Sequence, residues 1–301
     1  MCFINASQFN ANQYYVSRVR ICVRVRTYAC ACRILLKDGA FLVGVFLLHT
    51  VNFWRGNMLV EIKGLCKRYE ARADYTVKDI NINGKAGEII GILGHNGAGK
   101  STTIKCITGM HPYEAGTIEI DGHDLVNDSI AAKSSFGYVS DEHVLFEKMT
   151  GFEFINFMAD IYNVSAEDRK KRVERFQQLF ALGDSIYNPI SSYSHGMKQK
   201  IAFMGALIHN PKVFILDEPM VGLDPYTASQ VKIFFKEHAE AGNLVLFSSH
   251  NLDVVEKLCN RVYIIDQGKI LEEIDIEEFK SRNNDFEEYF LSITQRVAKV
   301  I

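Results

Sequence analysis

Gly94-His95-Asn96-Gly97-Ala98-Gly99-Lys100-Ser101 is the stretch from which the rest of this 301-residue sequence is read. Its spacing is G-x-x-x-x-G-K-[ST]. An apolar run at residues 88–93 leads into it and a helical stretch at 102–107 leads away, so the loop joins a strand to a helix as that pattern requires. The glycines let backbone N–H groups turn inward around phosphate oxygens. The helix start adds its positive end, and Lys100 places a point charge on β and γ phosphates. Ser101 is the expected Mg²⁺ ligand. The expected nucleotide contacts are therefore Gly94, His95, Asn96, Gly97, Ala98, Gly99, Lys100, Ser101 and Thr102.

Working outward, a second apolar run, Val213-Phe214-Ile215-Leu216, ends in Asp217-Glu218, 117 residues beyond Lys100. A buried strand that ends in two acids next to a phosphate loop suits metal-assisted phosphoryl chemistry. Asp217 is placed to hold Mg²⁺, usually through water, and Glu218 to polarise the water that attacks the γ-phosphate. Further strands are predicted at 59–62, 80–82, 89–93, 136–139, 244–247 and 262–265, alternating with helical stretches. Hairpins are predicted where Thr117-Ile118-Glu119-Ile120 meets Asp121-Gly122 and where Tyr263-Ile264-Ile265 meets Asp266-Gln267-Gly268. Between 150 and 182 no strand pattern occurs. There Phe154, Phe157, Met158 and Ile161, then Val173, Phe176, Leu179 and Phe180, recur at helical spacing. The fold class expected is α/β: a P-loop NTPase with a mixed sheet, parallel at its core with an antiparallel β subdomain, and an inserted helical subdomain at about 145–200 within a domain spanning 58–275.

Additional motifs fall in a fixed order around these two. Tyr193-Ser194-His195-Gly196-Met197 lies ahead of Asp217, Gly222-Leu223-Asp224 follows it, Ser248-Ser249-His250 ends a strand 33 residues past it, and Lys67-Arg68-Tyr69 precedes the loop. With them the sequence resembles the ABC ATPase family, and residues 58–301 carry the resemblance. The pentapeptide is similar to the family's Leu-Ser-Gly-Gly-Gln signature: Ser194 and Gly196 match, while Tyr193, His195 and Met197 depart. The resemblance implies that Ser194 and Gly196 bond the γ-phosphate held by another subunit, so that two cassettes meet head to tail, as a homodimer or a heterodimer. It implies that His250 contacts the γ-phosphate beside the catalytic Glu218, and that Tyr69 stacks on adenine, with a core tyrosine as the alternative. The family's metal-sensing glutamine falls on Asp141, and a carboxylate there adds charge to a polyanionic site while still able to ligate Mg²⁺. Glu142 competes for that role by one residue of register, although Leu145, Met149 and Thr150 keep family spacing only with Asp141.

Charge divides the chain unevenly. Residues 1–57 hold seven Lys/Arg against Asp38, a balance of +6, and the remainder is −8. Four of the seven cysteines, Cys2, Cys22, Cys30 and Cys32, lie in that first part, with no disulfide framework, and the triplet 22, 30, 32 is a weak metal pattern. The apolar run at 40–48 is well short of the roughly 20 residues of a spanning helix and fits a signal peptide poorly. Residues 1–57 are read as upstream DNA translated from a start placed too early, with Met58 the native start, since Trp54-Arg55-Gly56-Asn57 can encode a ribosome-binding sequence. The alternative is a genuine basic arm.

The cofactors expected are ATP and Mg²⁺, and the activity is ATP hydrolysis. No apolar span crosses a membrane after residue 58, so a separate multispan permease is implied, with this subunit peripheral on the cytoplasmic face of the cell membrane. Tyr-Ser-His-Gly-Met with Gly222-Leu223-Asp224-Pro225 looks most similar to bacterial exporter subunits. Aromatic residues after Asp141, namely Phe146, Phe152, Phe154 and Phe157, mark the expected permease contact, with most of the rings in the core. The rival is a soluble ABC ATPase acting on nucleic acid or ribosomes, and the acidic body argues against a phosphate-rich partner. The tail at 276–301 is expected to form a solvated helix that closes the domain, with no catalytic role.

Overall fold

The computed structural model describes residues 58–69, 74–142, 145–282 and 285–298, with side chains to residue 294. The reading of residues 1–57 concerns a part of the chain outside these. Two sheets organise the rest. A six-stranded sheet runs in the order β10 (Lys269–Asp275), β9 (Arg261–Asp266), β3 (Ile89–Leu93), β8 (Leu244–Ser249), β7 (Val213–Leu216), β6 (Phe136–Val139). Its pairs are parallel except β10 on β9. A four-stranded antiparallel sheet runs β2 (Val77–Lys85), β1 (Met58–Lys67), β4 (Ala115–Ile120), β5 (His123–Asp124). Both expected hairpins are present, and the mixed architecture is as expected, although the antiparallel strands largely form their own sheet.

The apolar runs are continuous because the central strands are covered on both faces. Alternate side chains point to opposite sides of a strand. Thus Ile89, Leu93, Phe214, Leu216, Val245 and Phe247 join one core with the helices, while Ile90, Ile92, Val213, Ile215, Leu244 and Leu246 join a second core with the antiparallel sheet. Burying a side chain of this size contributes about 1.5–3 kcal/mol, so a polar residue inside any of these strands would be costly unless satisfied.

The helices are α1 (Lys100–Ile107), α2 (Ser129–Ser134), α3 (Gly151–Ile161), α4 (Ala166–Phe180), α5 (His195–Leu207), α6 (Pro225–Glu240), α7 (Leu252–Leu258), α8 (Ile276–Ser281) and α9 (Phe286–Ala298). α3 starts at a capping box, in which Thr150 accepts from the Glu153 N–H and Glu153 accepts from the Thr150 N–H. Not all of its apolar stripe is core. Phe154 is buried, but Phe157 and Ile161 are exposed, and so are Phe146 and Phe152. Three of the four aromatic residues after Asp141 therefore face outward, more than the sequence reading placed there. The tail also differs from a single solvated helix, because α8 and α9 bury Ile276, Phe279, Phe286 and Ile293 against the first core.

Parallel registry aligns the strand ends that matter. Leu93 pairs with Ser249 and with Ile264, and Leu216 with Phe247. The phosphate loop, Asp217-Glu218, His250 and Asp266 consequently emerge side by side at the carboxyl edge of the sheet, where open α/β folds bind ligands.

Candidate active site

The loop leaves β3 through Gly94, where a Cβ would lie 2.3 Å from the Ile265 carbonyl oxygen, so only glycine passes this close to β9. It turns into α1 at Gly99, whose φ of 108 is left-handed. Lys100 is buried and folds back over the loop. Its Nζ donates to the carbonyls of Gly94 (2.8 Å) and His95 (3.2 Å) and lies 3.3 Å from Glu218 Oε1. One ammonium thus ties the loop to the acid at the end of β7.

Asp217 is 1% exposed. Its Oδ1 accepts from Ser101 Oγ (3.0 Å) and Ser248 Oγ (2.5 Å), while Oδ2 is buried without a hydrogen-bond partner among the described residues. Burial pushes this carboxyl above the usual range, the Ser248 and Ser101 hydroxyls pull it down, and the charges of Asp141 and Glu218 push it up again. A bare carboxylate oxygen beside a serine hydroxyl is a hard oxygen donor set, and a divalent cation would satisfy the orphan atom. The residues fit Mg²⁺.

Glu218 adopts φ 49, receives no help from glycine there, and donates its N–H to Ser248 Oγ (3.0 Å). Its Oε2 lies 3.0 Å from His250 Nδ1. The carboxylate is therefore held between Lys100 and a histidine that is 51% exposed.

These groups border a cleft of about 440 Å³ lined by Tyr69, Thr76, Asn96, Gly97, Gly99, Lys100, Ser101, Thr102, Asp141 and Glu218. A smaller hollow of about 160 Å³ lies among Asn96, Asp141, His195, Gln199, Glu218, Val221 and His250. Asp141 lines both and Glu142 lines neither. Tyr69 is half-buried at the cleft wall, with Lys67 Nζ 5.3 Å from its ring centroid and His111 edge-on at 5.7 Å. His95 turns away, its Nδ1 2.7 Å from the Asn96 carbonyl and its Nε2 2.5 Å from Asp266 Oδ1. Gly94 and Ala98 sit behind the loop. Ser194 and Gly196 do not line the cleft: Ser194 is exposed and caps α5, accepting from the Met197 N–H at 3.3 Å.

Three contributors were not singled out by sequence. Ser248 touches both acids, Gln199 donates to the Pro219 carbonyl just past them, and Asp266 holds His95. For Ser248 a signal existed, because it is a hydroxyl closing an otherwise apolar run at 244–247.

Loop, paired acids and strand order define a P-loop nucleoside triphosphatase cassette. The ABC transporter family profile matches residues 77–221. The linearmycin resistance ATP-binding protein LnrL of Bacillus subtilis (strain 168) is 37% identical over 195 residues, which cover 65% of this chain and 63% of that protein, just under two thirds of its length. The ABC transporter ATP-binding protein NatA of the same organism is 31% identical over 219 residues, 72% of this chain and 89% of that one. Among solved structures, the ATP-binding cassette MJ0796, a dimer in a post-hydrolysis state bound to ADP and Pi, superposes with a TM-score of 0.64 at 25% identity over 72% of this chain and 99% of that chain. The chain belongs to the ABC transporter family as an ATP-binding, ATP-hydrolysing subunit. Among the described residues no helix is long and apolar enough to cross a membrane.

Proposed function

We propose that this subunit drives export through a separate multispan permease, closing head to tail with a second cassette around Mg-ATP on the cytoplasmic face of the membrane. The observation that carries the catalytic part is the placement of Glu218, fixed between Lys100 and His250 at the cleft while Asp217 keeps a bare oxygen. In this reading Glu218 orients and deprotonates the attacking water, and His250 contacts the γ-phosphate. The backbone amides of 94–102 and Lys100 hold the phosphates, and Tyr69 stacks on adenine. Ser101, Asp217 and Asp141 hold Mg²⁺, which when bound neutralises charge developing on the phosphate oxygens. Ser194 and Gly196 act on the nucleotide of the second cassette, a reading supported by the exposure of Ser194.

Export is supported by the resistance role in the name of LnrL and by the exporter-like motifs. A permease contact is supported by exposed rings beside α3: Phe146 stands edge-on to Phe157 at 5.4 Å, and Phe152 lies 5.4 Å from Tyr187. The test uses the full chain and Glu218→Gln. The variant is expected to lose turnover by about 10²-fold or more while binding ATP, the scale of a lost general base, and to elute as an ATP-bound dimer in size-exclusion chromatography. Cells holding only the variant should accumulate more of a lipophilic antibiotic. Unchanged turnover breaks the catalytic reading, and unchanged accumulation across a drug panel breaks the export reading.

A further inference from the structure

The geometry points to Ser248 as a positioning residue for ATP hydrolysis, a single hydroxyl that sets both acids at the end of β7. This rests on the roles proposed above for Asp217 and Glu218.

Ser248 is fully buried, on β8, next to the strand that delivers the acids. A serine hydroxyl carries one hydrogen and can accept on two lone pairs. Both capacities are assigned here. The hydrogen goes to Asp217 Oδ1, because an ionised carboxylate only accepts, and a lone pair takes the Glu218 N–H. Each bond does something a packed methyl could not.

The bond to Glu218 fixes a residue whose φ of 49 lies in a region that non-glycine residues rarely enter. From that backbone position the side chain reaches Lys100 and His250 together. Without the acceptor, the N–H would be left unpaired beside a fully buried strand, and relaxing it would swing the carboxylate. The bond to Asp217 fixes rotation of its carboxylate so that Oδ1 is covered and Oδ2 stays bare. Ser101 is the other hydroxyl on Oδ1, and it is itself an expected metal ligand. Ser248 is therefore the hydroxyl on Oδ1 that is not an expected metal ligand, and the one that can hold the carboxylate while Ser101 serves the cation.

The experiment compares the full chain with Ser248→Ala and Ser248→Thr. Three quantities are read: kcat and KM for Mg-ATP, Mn²⁺ affinity of the ATP complex by electron paramagnetic resonance, and binding of a fluorescent ATP analogue in EDTA. Losing a hydrogen bond to a charged group corresponds to roughly 10- to 100-fold. Ser248→Ala should lower kcat by about that factor and weaken Mn²⁺ several-fold, with metal-free nucleotide binding and KM within about twofold. Ser248→Thr, which keeps the hydroxyl, should recover most of kcat. The proposal is overturned if the alanine variant keeps kcat and Mn²⁺ affinity, if it loses metal-free binding in step with kcat, or if threonine falls as far as alanine. Glu218→Gln separates the two levels: an active Glu218→Gln sinks the general-base role, while the Mn²⁺ arm still reports on Asp217 and Ser248 alone.

Discussion

The loop half of the site and the signature half are built in opposite ways. Lys100, Asp217 and Glu218 are withdrawn from solvent, and each has two or more polar partners supplied by neighbouring strand ends and by the start of α1. Ser194 is exposed at the start of α5, with its hydroxyl committed only to a local cap, and it lies away from the cleft. A strand end fixes position through the whole sheet, whereas a helix start presents N–H groups outward to whatever anion arrives. In the proposed dimer, one half is prepared within each chain and the other serves the nucleotide of the second cassette.

That contrast is broken or sharpened most directly by mixing two damaged copies. Lys100→Ala removes the phosphate charge from one half, and Ser194→Ala removes the signature donor from the other. Each alone should reduce ATPase by about 10²-fold or more, the scale of losing a preorganised electrostatic contact. Mixed in equal amounts, they should recover roughly a quarter of wild-type activity, because about half the symmetric dimers then carry one intact composite site of two. No recovery, with dimers present, would mean that both motifs serve the same copy's nucleotide.

Much of the loop half was legible in the sequence, because its chemistry is contiguous: eight residues make the phosphate loop, two adjacent acids close β7, and His250 ends β8. What escaped were the contacts that depend on strand order. Ser248 reaches Asp217 across 31 positions and His95 reaches Asp266 across 171, and both follow from β9, β3, β8 and β7 lying side by side. Periodicity alone does not give that order. How far exposure extends along α3 escaped for another reason. Phe157 and Ile161 share the helical spacing of Phe154, and spacing does not say where an apolar stripe outruns the core it packs on.

A smaller effect is expected at the adenine end. Tyr69 is held by the Lys67 ammonium and the edge of His111 rather than sunk into either core. Tyr69→Ala should weaken ATP binding about tenfold, within the range for one base–aromatic stack, while Tyr69→Phe leaves it near wild type. Titration of a fluorescent nucleotide reads this. Equal affinity in the alanine variant would return Tyr69 to the role of a structural side chain.

The smallest effect separates the two halves by pH. On the loop side, the Asn96 carbonyl and then Asp266 raise His95 above 6.5. Away from the loop, burial pushes His209 and His238 down to about 4, with Arg172 and Arg175 adding in the same direction and the Phe136 carbonyl partly opposing for His209. The signs are opposite. His95 takes its proton more readily folded than unfolded, so its contribution is complete below pH 6.5 and fades as pH rises through its folded value. For His209 and His238 the unfolded chain binds protons near 6.5 and the folded chain only near 4, so stability falls as pH drops through that window. Of these three rings, the two buried ones outweigh the largely exposed one, so together they make acid destabilising, and burial lowers His111 beside Tyr69 in the same sense. His209 packs flat on Tyr162 at 3.7 Å and bonds the Phe136 carbonyl at 3.1 Å, joining the end of α5 to β6. Glutamine at 209 keeps a donor for that carbonyl but does not titrate. His209→Gln should therefore lose less Tm than wild type between pH 7 and 5, by on the order of 2–4 °C, the shift that ~1 kcal/mol produces in a domain of this size. If both proteins lose the same Tm over that interval, acid sensitivity resides elsewhere, and the helical side is no weaker toward protons than the loop side.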